Sequence, residues 1–173
     1  MTGKIEIDCD LGTVRFKKGV YASYSIEAKS GSGISAGDGI SAGSGISAGD
    51  GISAGLGISA GLGISAGDGI SAGDGISAGW GIYAGWGISA GSGISAGLGI
   101  SAGDGISAGD GISAGWGISA GSGIYYKKIT CSKLVKGTVC YGDLVETGEK
   151  EISLSGKEVS IELDGKNYTA VIK

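Results

Sequence analysis

Residues 61–80 read Gly-Leu-Gly-Ile-Ser-Ala-Gly-Asp-Gly-Ile-Ser-Ala-Gly-Asp-Gly-Ile-Ser-Ala-Gly-Trp, and their hexapeptide Gly-Ile-Ser-Ala-Gly-x fills the chain from Gly31 to Ile124. Isoleucine recurs at every sixth residue, and the serine is replaced only by Tyr83 and Tyr125. A fixed short period is typical of a solenoid, in which each unit buries its apolar side against its neighbours. The sequence therefore predicts an all-β solenoid.

Each hexapeptide reads as a three-residue strand followed by a turn. Alternation along Ile-Ser-Ala places isoleucine and alanine on one face and serine on the other. The x position accepts Asp, Ser, Leu and Trp, a range of charge and volume that a packed interior does not tolerate. We expect Ile and Ala inside, Ser outside and x exposed at the corners.

The glycines carry information of their own. The chain has 40 glycines and no proline, and 32 of the glycines lie in the repeat at two fixed phases. An ordered glycine costs about 0.5–1 kcal/mol relative to alanine, so the array forgoes roughly 15–30 kcal/mol unless these positions require glycine. We expect most of them to need either a positive φ or a close backbone approach.

The number of units per coil follows from sorting the x positions. Every third x residue forms three columns, which are Ser44, Leu62, Trp80, Leu98 and Trp116; Ser32, Asp50, Asp68, Trp86, Asp104 and Ser122; and Asp38, Leu56, Asp74, Ser92 and Asp110. This sorting separates an apolar column from two mostly polar ones, whereas columns of every second residue mix all classes. Three units per coil, which make an 18-residue coil of triangular section, are favoured over two units and a 12-residue coil.

The chain divides into three parts. Residues 1–30 are predicted to form an N-terminal β cap, residues 31–125 the hexapeptide solenoid, and residues 126–173 a C-terminal β-hairpin domain or cap. Two hairpins are expected in the last part, one pairing residues 129–135 with 138–145 and one pairing 159–163 with 166–172 through the Asp164-Gly165 turn. Irregular charged strands at both ends would cover the core and block edge-to-edge growth.

Composition excludes most enzymatic chemistry. The chain has no histidine and one arginine, Arg15, so no Ser-His or Cys-His pair exists. No phosphate-binding glycine fingerprint, metal-ligand cluster or cofactor motif occurs either. We predict a non-enzymatic protein with no catalytic residue, no metal and no cofactor.

Charge and cysteine content indicate the setting. The net charge is −4, yet residues 31–125 contain six aspartates and no Lys, Arg or Glu, which disfavours direct nucleic-acid binding and suits a basic partner. No apolar run or leader suggests a membrane span or export. An odd count of three cysteines then favours structural thiols in a cytoplasmic protein.

Two resemblances follow from the repeat. The period is similar to that of left-handed β-helix acyltransferases, but the small core residue lies two positions after Ile rather than before it, and their catalytic histidine is absent. Residues 31–125 more closely resemble glycine-rich hexapeptide-repeat proteins of bacteria and phages, whose unit runs Gly-(Trp/Leu/Ser)-Gly-Ile-x-Ala-Gly. That resemblance implies a fold and a phage-associated setting, and assigns no functional residue.

The leading functional hypothesis is a rigid binding protein for a protein partner with a basic or apolar groove. The predicted contact residues are the apolar Leu62, Trp80, Trp86, Leu98 and Trp116 and the acidic Asp50, Asp68, Asp74, Asp104 and Asp110. A phage-type inhibitor acting as a decoy in a host nucleic-acid-handling defence complex is one form of this hypothesis. An ice-binding protein with a serine array and a self-assembling filament, or homo-oligomer joined through the terminal β regions, remain alternatives.

Overall fold

The computed structural model describes residues 3–29, 31–131, 134–146, 159–163 and 166–170. The described chain is all-β and forms a solenoid of about seven turns from parallel stacked coils. The strands are, in chain order, β1 (Ile5–Ile7), β2 (Gly12–Phe16), β3 (Val20–Ala22), β4 (Ile26–Ala28), β5 (Ser32–Ala36), β6 (Ile40–Ala42), β7 (Ile46–Ala48), β8 (Ile52–Ala54), β9 (Ile58–Ala60), β10 (Ile64–Ala66), β11 (Ile70–Ala72), β12 (Ile76–Ala78), β13 (Ile82–Ala84), β14 (Ile88–Ala90), β15 (Gly93–Ala96), β16 (Gly99–Ala102), β17 (Ile106–Ala108), β18 (Gly111–Ala114), β19 (Gly117–Cys131), β20 (Leu134–Glu146), β21 (Val159–Leu163) and β22 (Lys166–Ala170).

Each strand from β1 to β16 pairs in parallel with the strand three places further along the chain, and the long strand β19 covers three sides of the coil and pairs with β16, β17 and β18. Ile46 lies beside Ile64, and Ile64 beside Ile82, which gives the 18-residue coil. Ile34 likewise pairs with Ile52 rather than with Ile46. The predicted triangular coil of three hexapeptides is confirmed.

The coil has three faces, which we number by the first strand of each. Face 1 contains β1, β4, β7, β10, β13, β16 and the start of β19; face 2 contains β2, β5, β8, β11, β14, β17 and the middle of β19; face 3 contains β3, β6, β9, β12, β15, β18 and the end of β19. The first edge joins faces 1 and 2, the second edge joins faces 2 and 3, and the third edge joins faces 3 and 1.

The core consists of stacked isoleucine and alanine. Ile76, in the middle of the rod, is 1% exposed, and Ala78 on the same strand is 5% exposed. Ser77 between them points to solvent, as the two-residue strand period requires. Because one large and one small side chain come from each side of every coil, the triangular interior is filled by a constant volume at every level. The predicted inside and outside positions are confirmed.

Apart from Gly31, whose φ is +79°, the first glycine of the Gly-x-Gly corners is required by close backbone approach rather than by a positive φ. A Cβ atom built on Gly61 would lie 2.0 Å from the carbonyl oxygen of Gly43, one coil below. A Cβ on Gly63, the second glycine of the same corner, would lie 3.5 Å from the carbonyl oxygen of Gly81, an ordinary contact distance. Positive φ angles among the described glycines occur only at Gly3, Gly12, Gly31 and Gly137, all outside the interior of the repeat.

The coils extend beyond the repeat at both ends. Ile5 pairs with Ile26 in the first coil, and these residues are further apart in sequence than one coil of the repeat. Ile124 pairs with Val139 in the last coils, where the sequence separation is shorter than one coil of the repeat. Longer corners at the start and shorter corners at the end absorb the difference, and Gly137, with φ +138°, lies at one of the short ones. The non-repeat strands β1 to β4 are therefore complete sides of the first coils.

One predicted hairpin is wrong and the other is confirmed. Residues 129–135 and 138–145 do not pair antiparallel; Ile129 instead pairs in parallel with Ile112 below and Leu144 above. This arrangement keeps Ile129 and Cys131 fully buried over the isoleucine and alanine columns, which an isolated hairpin would not do. Strands β21 and β22 form the expected antiparallel pair; their turn and residues 171–172 lie outside the described residues.

Ser32 is the exception among the x positions. It is fully buried, whereas exposure was expected at every corner. The long corner of the first coil passes beneath it, so the Ser32 hydroxyl donates to the Cys9 carbonyl at 2.8 Å and accepts from the Leu11 amide at 3.1 Å. A small hydroxylic side chain satisfies both backbone groups there.

We predict that Gly61→Ala and Gly63→Ala have opposite consequences although they flank the same residue. Gly61→Ala forces two coils apart against a backbone oxygen and should destabilise the rod by roughly 3 kcal/mol or more, as severe overpacking does. Gly63→Ala should change stability by less than about 1 kcal/mol, since its reduced unfolded-state entropy offsets the small contact. Denaturant titrations of both variants test this, and equal shifts of the midpoint would contradict it.

Candidate surface at the corners of the solenoid

The corner residues form three continuous ladders. At each edge the amide of an x residue donates to the carbonyl of the x residue one coil below, as from Leu62 to Ser44 at 2.9 Å and from Trp80 to Leu62 at 2.9 Å. Because these bonds fix the backbone of each corner directly over the previous one, the side chains project in columns with about 4.8 Å between successive residues.

The third edge carries the apolar ridge, which we define as Leu62, Trp80, Leu98 and Trp116. The amides of Leu98 and Trp116 continue the ladder at 2.6 and 2.8 Å. All four side chains are exposed, with 60% of the surface accessible for both Trp80 and Trp116. The predicted column is thus one physical surface, about three coil spacings or roughly 15 Å long from Leu62 to Trp116.

The remaining predicted contact residues lie elsewhere. Trp86 is on the first edge, between Asp68 and Asp104 in its ladder, and lines the groove of face 2 together with Tyr125. Asp50 belongs to the same edge, whereas Asp74 and Asp110 lie on the second edge with Asp38 and Leu56. The structure therefore brings four of the ten residues together and distributes the other six over two further edges.

Two aromatic residues beside the ridge were not among the predicted contacts. The Ser44 amide donates to the Tyr24 carbonyl at 2.7 Å, so exposed Tyr24 extends the third-edge column by one coil. The separation between Tyr24 and Ser44 is longer than the period of the repeat, which hides Tyr24 from a column sorted by that period. Tyr83 occupies a position in the serine column of face 1 and is 55% exposed. The replacement of the repeat serine by tyrosine is the sequence feature that could have identified it as a contact residue.

Face 1 has the largest groove of the three faces. Its volume is about 1420 Å³, against about 550 Å³ on face 3 and 600 Å³ on face 2. The floor is the glycine column 45, 63, 81, 99 and 117, and Tyr24, Leu62 and Tyr83 stand at its sides. The indoles of Trp80 and Trp116 are not part of this lining, so ridge and groove are adjacent but separate surfaces.

Charged side chains close the lower end of face 1. The Lys4 ammonium lies 2.7 Å from Glu27 and 3.3 Å from Glu6. The hydrogen bond to Glu27 raises the pKa of Lys4, and the same bond, helped by Ser25, lowers the pKa of Glu27. Lys29 pairs with Asp8, and this hydrogen bond raises the Lys29 pKa. The Glu27 contribution is therefore present above the unfolded-state pKa and lost as the pH falls through its folded pKa.

The acidic and thiol groups of the rod are dispersed rather than clustered. Within the described ranges no group of three or more His, Cys, Asp or Glu side chains is placed to hold a metal ion. Asp110 forms an exposed ion pair with Lys127 at 3.4 Å, a pair of the kind that contributes little stability. Cys9 is exposed and its thiol is free, whereas Cys131 is buried.

The part of the chain that the structure describes contains no helix of the length and hydropathy needed to cross a membrane. Comparison of the chain with protein-family models, with curated proteins and with solved structures finds no match in any of the three.

Proposed function

We propose that the chain is a rigid, non-catalytic binding protein whose apolar ridge anchors a protein partner. The observation that carries this proposal is the unbroken ladder from Leu62 to Trp116, which holds two indoles and two leucines exposed on one edge. Tryptophan is enriched among the residues that dominate binding energy at interfaces. Because the ladder is fixed by backbone hydrogen bonds between coils, little conformational freedom is lost on binding.

The aspartates of the other two edges supply orientation rather than the main affinity. The array carries six negative charges over five coils, or roughly 24 Å at about 4.8 Å per coil. Duplex DNA of that length carries about 14 charges, at one per ~1.7 Å. A decoy for a basic nucleic-acid groove built on these aspartates alone would thus have less than half the charge density of its competitor.

The phage-type decoy is the finer form of the proposal, and the ridge makes it physically workable. Its setting would be the cytoplasm, or the host cytoplasm for a phage-encoded chain, in keeping with the free thiol of Cys9. In this form the aspartates steer the rod toward a basic groove, and the ridge packs against an apolar wall of that groove. The resemblance to phage-associated hexapeptide-repeat proteins is its additional support.

We predict that replacing Trp80→Ser together with Trp116→Ser abolishes partner binding while the melting temperature stays unchanged. Both indoles project from corners whose backbone does not depend on them, and anchors of this type contribute about 2 kcal/mol or more each. A partner captured on the wild-type chain is purified, and its affinity for the variant is measured by calorimetry.

The matched control is Leu56→Ser, which removes an exposed leucine from the second edge. It should bind the partner as wild type does, and so should the variant in which Cys9, Cys131 and Cys140 are replaced by serine. Wild-type affinity of the double Trp variant would instead assign binding to another surface.

The salt dependence of the same affinity separates the ridge from the aspartates. Since apolar burial carries most of the affinity, we expect the dissociation constant to rise less than about tenfold between ~50 and ~200 mM salt, whereas six to ten phosphate-like contacts would raise it by roughly 10³–10⁵. A rise of the larger size would contradict the assignment of affinity to the ridge.

Ice binding is the second candidate, and one observation on face 3 favours it. Ser41, Ser59, Ser77, Ser95 and Ser113 lie in register with no interruption, whereas Tyr83 interrupts the column of face 1 and Trp86 stands beside the serines of face 2. A flat array of hydroxyls at about 4.8 Å spacing is a regular surface for ordered water.

If face 3 binds ice, the chain should give thermal hysteresis in a nanolitre osmometer. Ser77→Tyr should remove the effect because the ring interrupts the flat array at its centre. The matched variant Ser71→Tyr, on face 2, should retain it. Absence of hysteresis in the wild-type protein rules this candidate out.

A further inference from the structure

The first coil leaves one side of its three strands without a partner in the described structure. Strand β1 pairs only with β4, β2 only with β5, and β3 only with β6. Ile5, Val14 and Phe16 are only partly buried against the core there. An open edge of this kind is a template for pairing with another chain.

The orientation of the backbone identifies the unpaired groups. The Ile5 amide donates to Ser25 and the Ile7 carbonyl accepts from Lys29, both in the coil above. Since main-chain groups of successive residues in a strand point to opposite sides, the amide and carbonyl of Glu6 point out of the end. The same alternation directs Thr13 and Arg15 of β2, and Tyr21 of β3, outward.

We propose that two copies of the chain join end to end through this coil, around a two-fold axis that passes through β2. The axis reverses strand direction, so each contact is antiparallel: β2 pairs with β2, and β1 with β3 of the second copy. With Val14 on the axis, Thr13 lies opposite Arg15 of the second copy, and Glu6 lies opposite Tyr21. These are the outward-pointing residues, and each pair can form two hydrogen bonds.

The rise of the coil selects this axis. Strands β1, β2 and β3 climb in that order around the rod, so its end is a ramp and not a flat ring. An axis through β2 exchanges the lowest strand with the highest, which makes the gap between copies equal on all three faces. With an axis through β1 or β3, the gap between the two copies on one face would differ from the gap on the other two faces by a full coil spacing.

Charge independently selects the same axis. In the first coil the first edge carries exposed Asp8 and Asp10, and the second edge carries exposed Lys17 and Lys18. An axis through β2 lays each acidic edge on a basic one, with Asp10 opposite Lys18 of the second copy. An axis through β3 would oppose aspartates with aspartates, and an axis through β1 lysines with lysines. Juxtaposed like charges are costly at an interface.

The axis through β2 places the third edges of the two copies against each other, and the charged side chains of this edge are already paired within each copy. Lys4 there lies within 3.3 Å of both Glu6 and Glu27. The apolar side chains of Ile5, Val14 and Phe16 then continue the isoleucine and alanine core from one rod into the other. This dimer is independent of the proposed function, since the apolar ridge lies several coils away from the contact.

Sedimentation equilibrium of the full chain tests the dimer. The wild-type protein should have about twice the 16.7 kDa mass of one chain, and added salt should favour dissociation. Lys17→Glu with Lys18→Glu places two glutamates of one copy against Asp8 and Asp10 of the other at each acidic edge. This variant should raise the dimer dissociation constant roughly tenfold or more. Lys127→Glu with Lys128→Glu changes the charge equally at the other end of the rod and should leave the constant unchanged.

A charge exchange makes the test specific for the axis. Asp10→Lys with Leu11→Lys renders the first edge basic while keeping the Asp8–Lys29 pair, and this variant should likewise dimerise roughly tenfold or more weakly than the wild-type chain. Mixed with the Lys17→Glu, Lys18→Glu variant, it should form a heterodimer, because both contacts are then between opposite charges. A monomeric wild-type chain, or a mixture of the two variants that associates no more tightly than either variant alone, would overturn the proposal; circular dichroism confirms that each variant is folded.

Discussion

The close stacking of one corner on the next is the constraint on which the rest of the structure depends. The first glycine of each corner brings its Cα so near the carbonyl oxygen below that any side chain would collide, as at Gly55 over Gly37, where a Cβ would lie 2.0 Å away. That approach allows amides at the corner to bond to the coil below, as Gly55 does to Ala36 at 3.0 Å. Corners and strands are therefore hydrogen-bonded along the whole rod.

This constraint also frees the residue between the two glycines. Because glycines and backbone bonds determine the corner geometry, the x side chain can change from aspartate to tryptophan without a change of fold. Leu62, Trp80 and Asp68 occupy equivalent corners with the same backbone contacts. Surface chemistry and stability are thus largely separated, which is a favourable arrangement for a scaffold that presents different side chains at fixed spacing.

The ends of the rod obey the same rules with a different sequence. Ile5, Val14 and Val20 occupy the isoleucine positions of the first coil, and Ile129 and Cys131 continue the core in the last described coils. The corner that contains Asp10 is longer than those of the repeat, and Lys17 can occupy a position that glycine holds elsewhere because no described coil lies below it. The proposed contact between two copies of the chain therefore lies at the irregular end, whereas the proposed contact with a protein partner lies on the ridge of the array.

The sequence by itself determined the solenoid, the buried isoleucine and alanine, the 18-residue coil and the column from Leu62 to Trp116. All of these follow from the strict period, because equivalent residues of every hexapeptide then have the same environment. The tertiary structure decided where the period fails. Alternating apolar residues fit a hairpin or a coil equally well, so only the partner strands show that Ile129 lies over Ile112 in parallel. Likewise, burial of Ser32 and the placement of Tyr24 depend on corner lengths in the first coils, which local sequence does not specify.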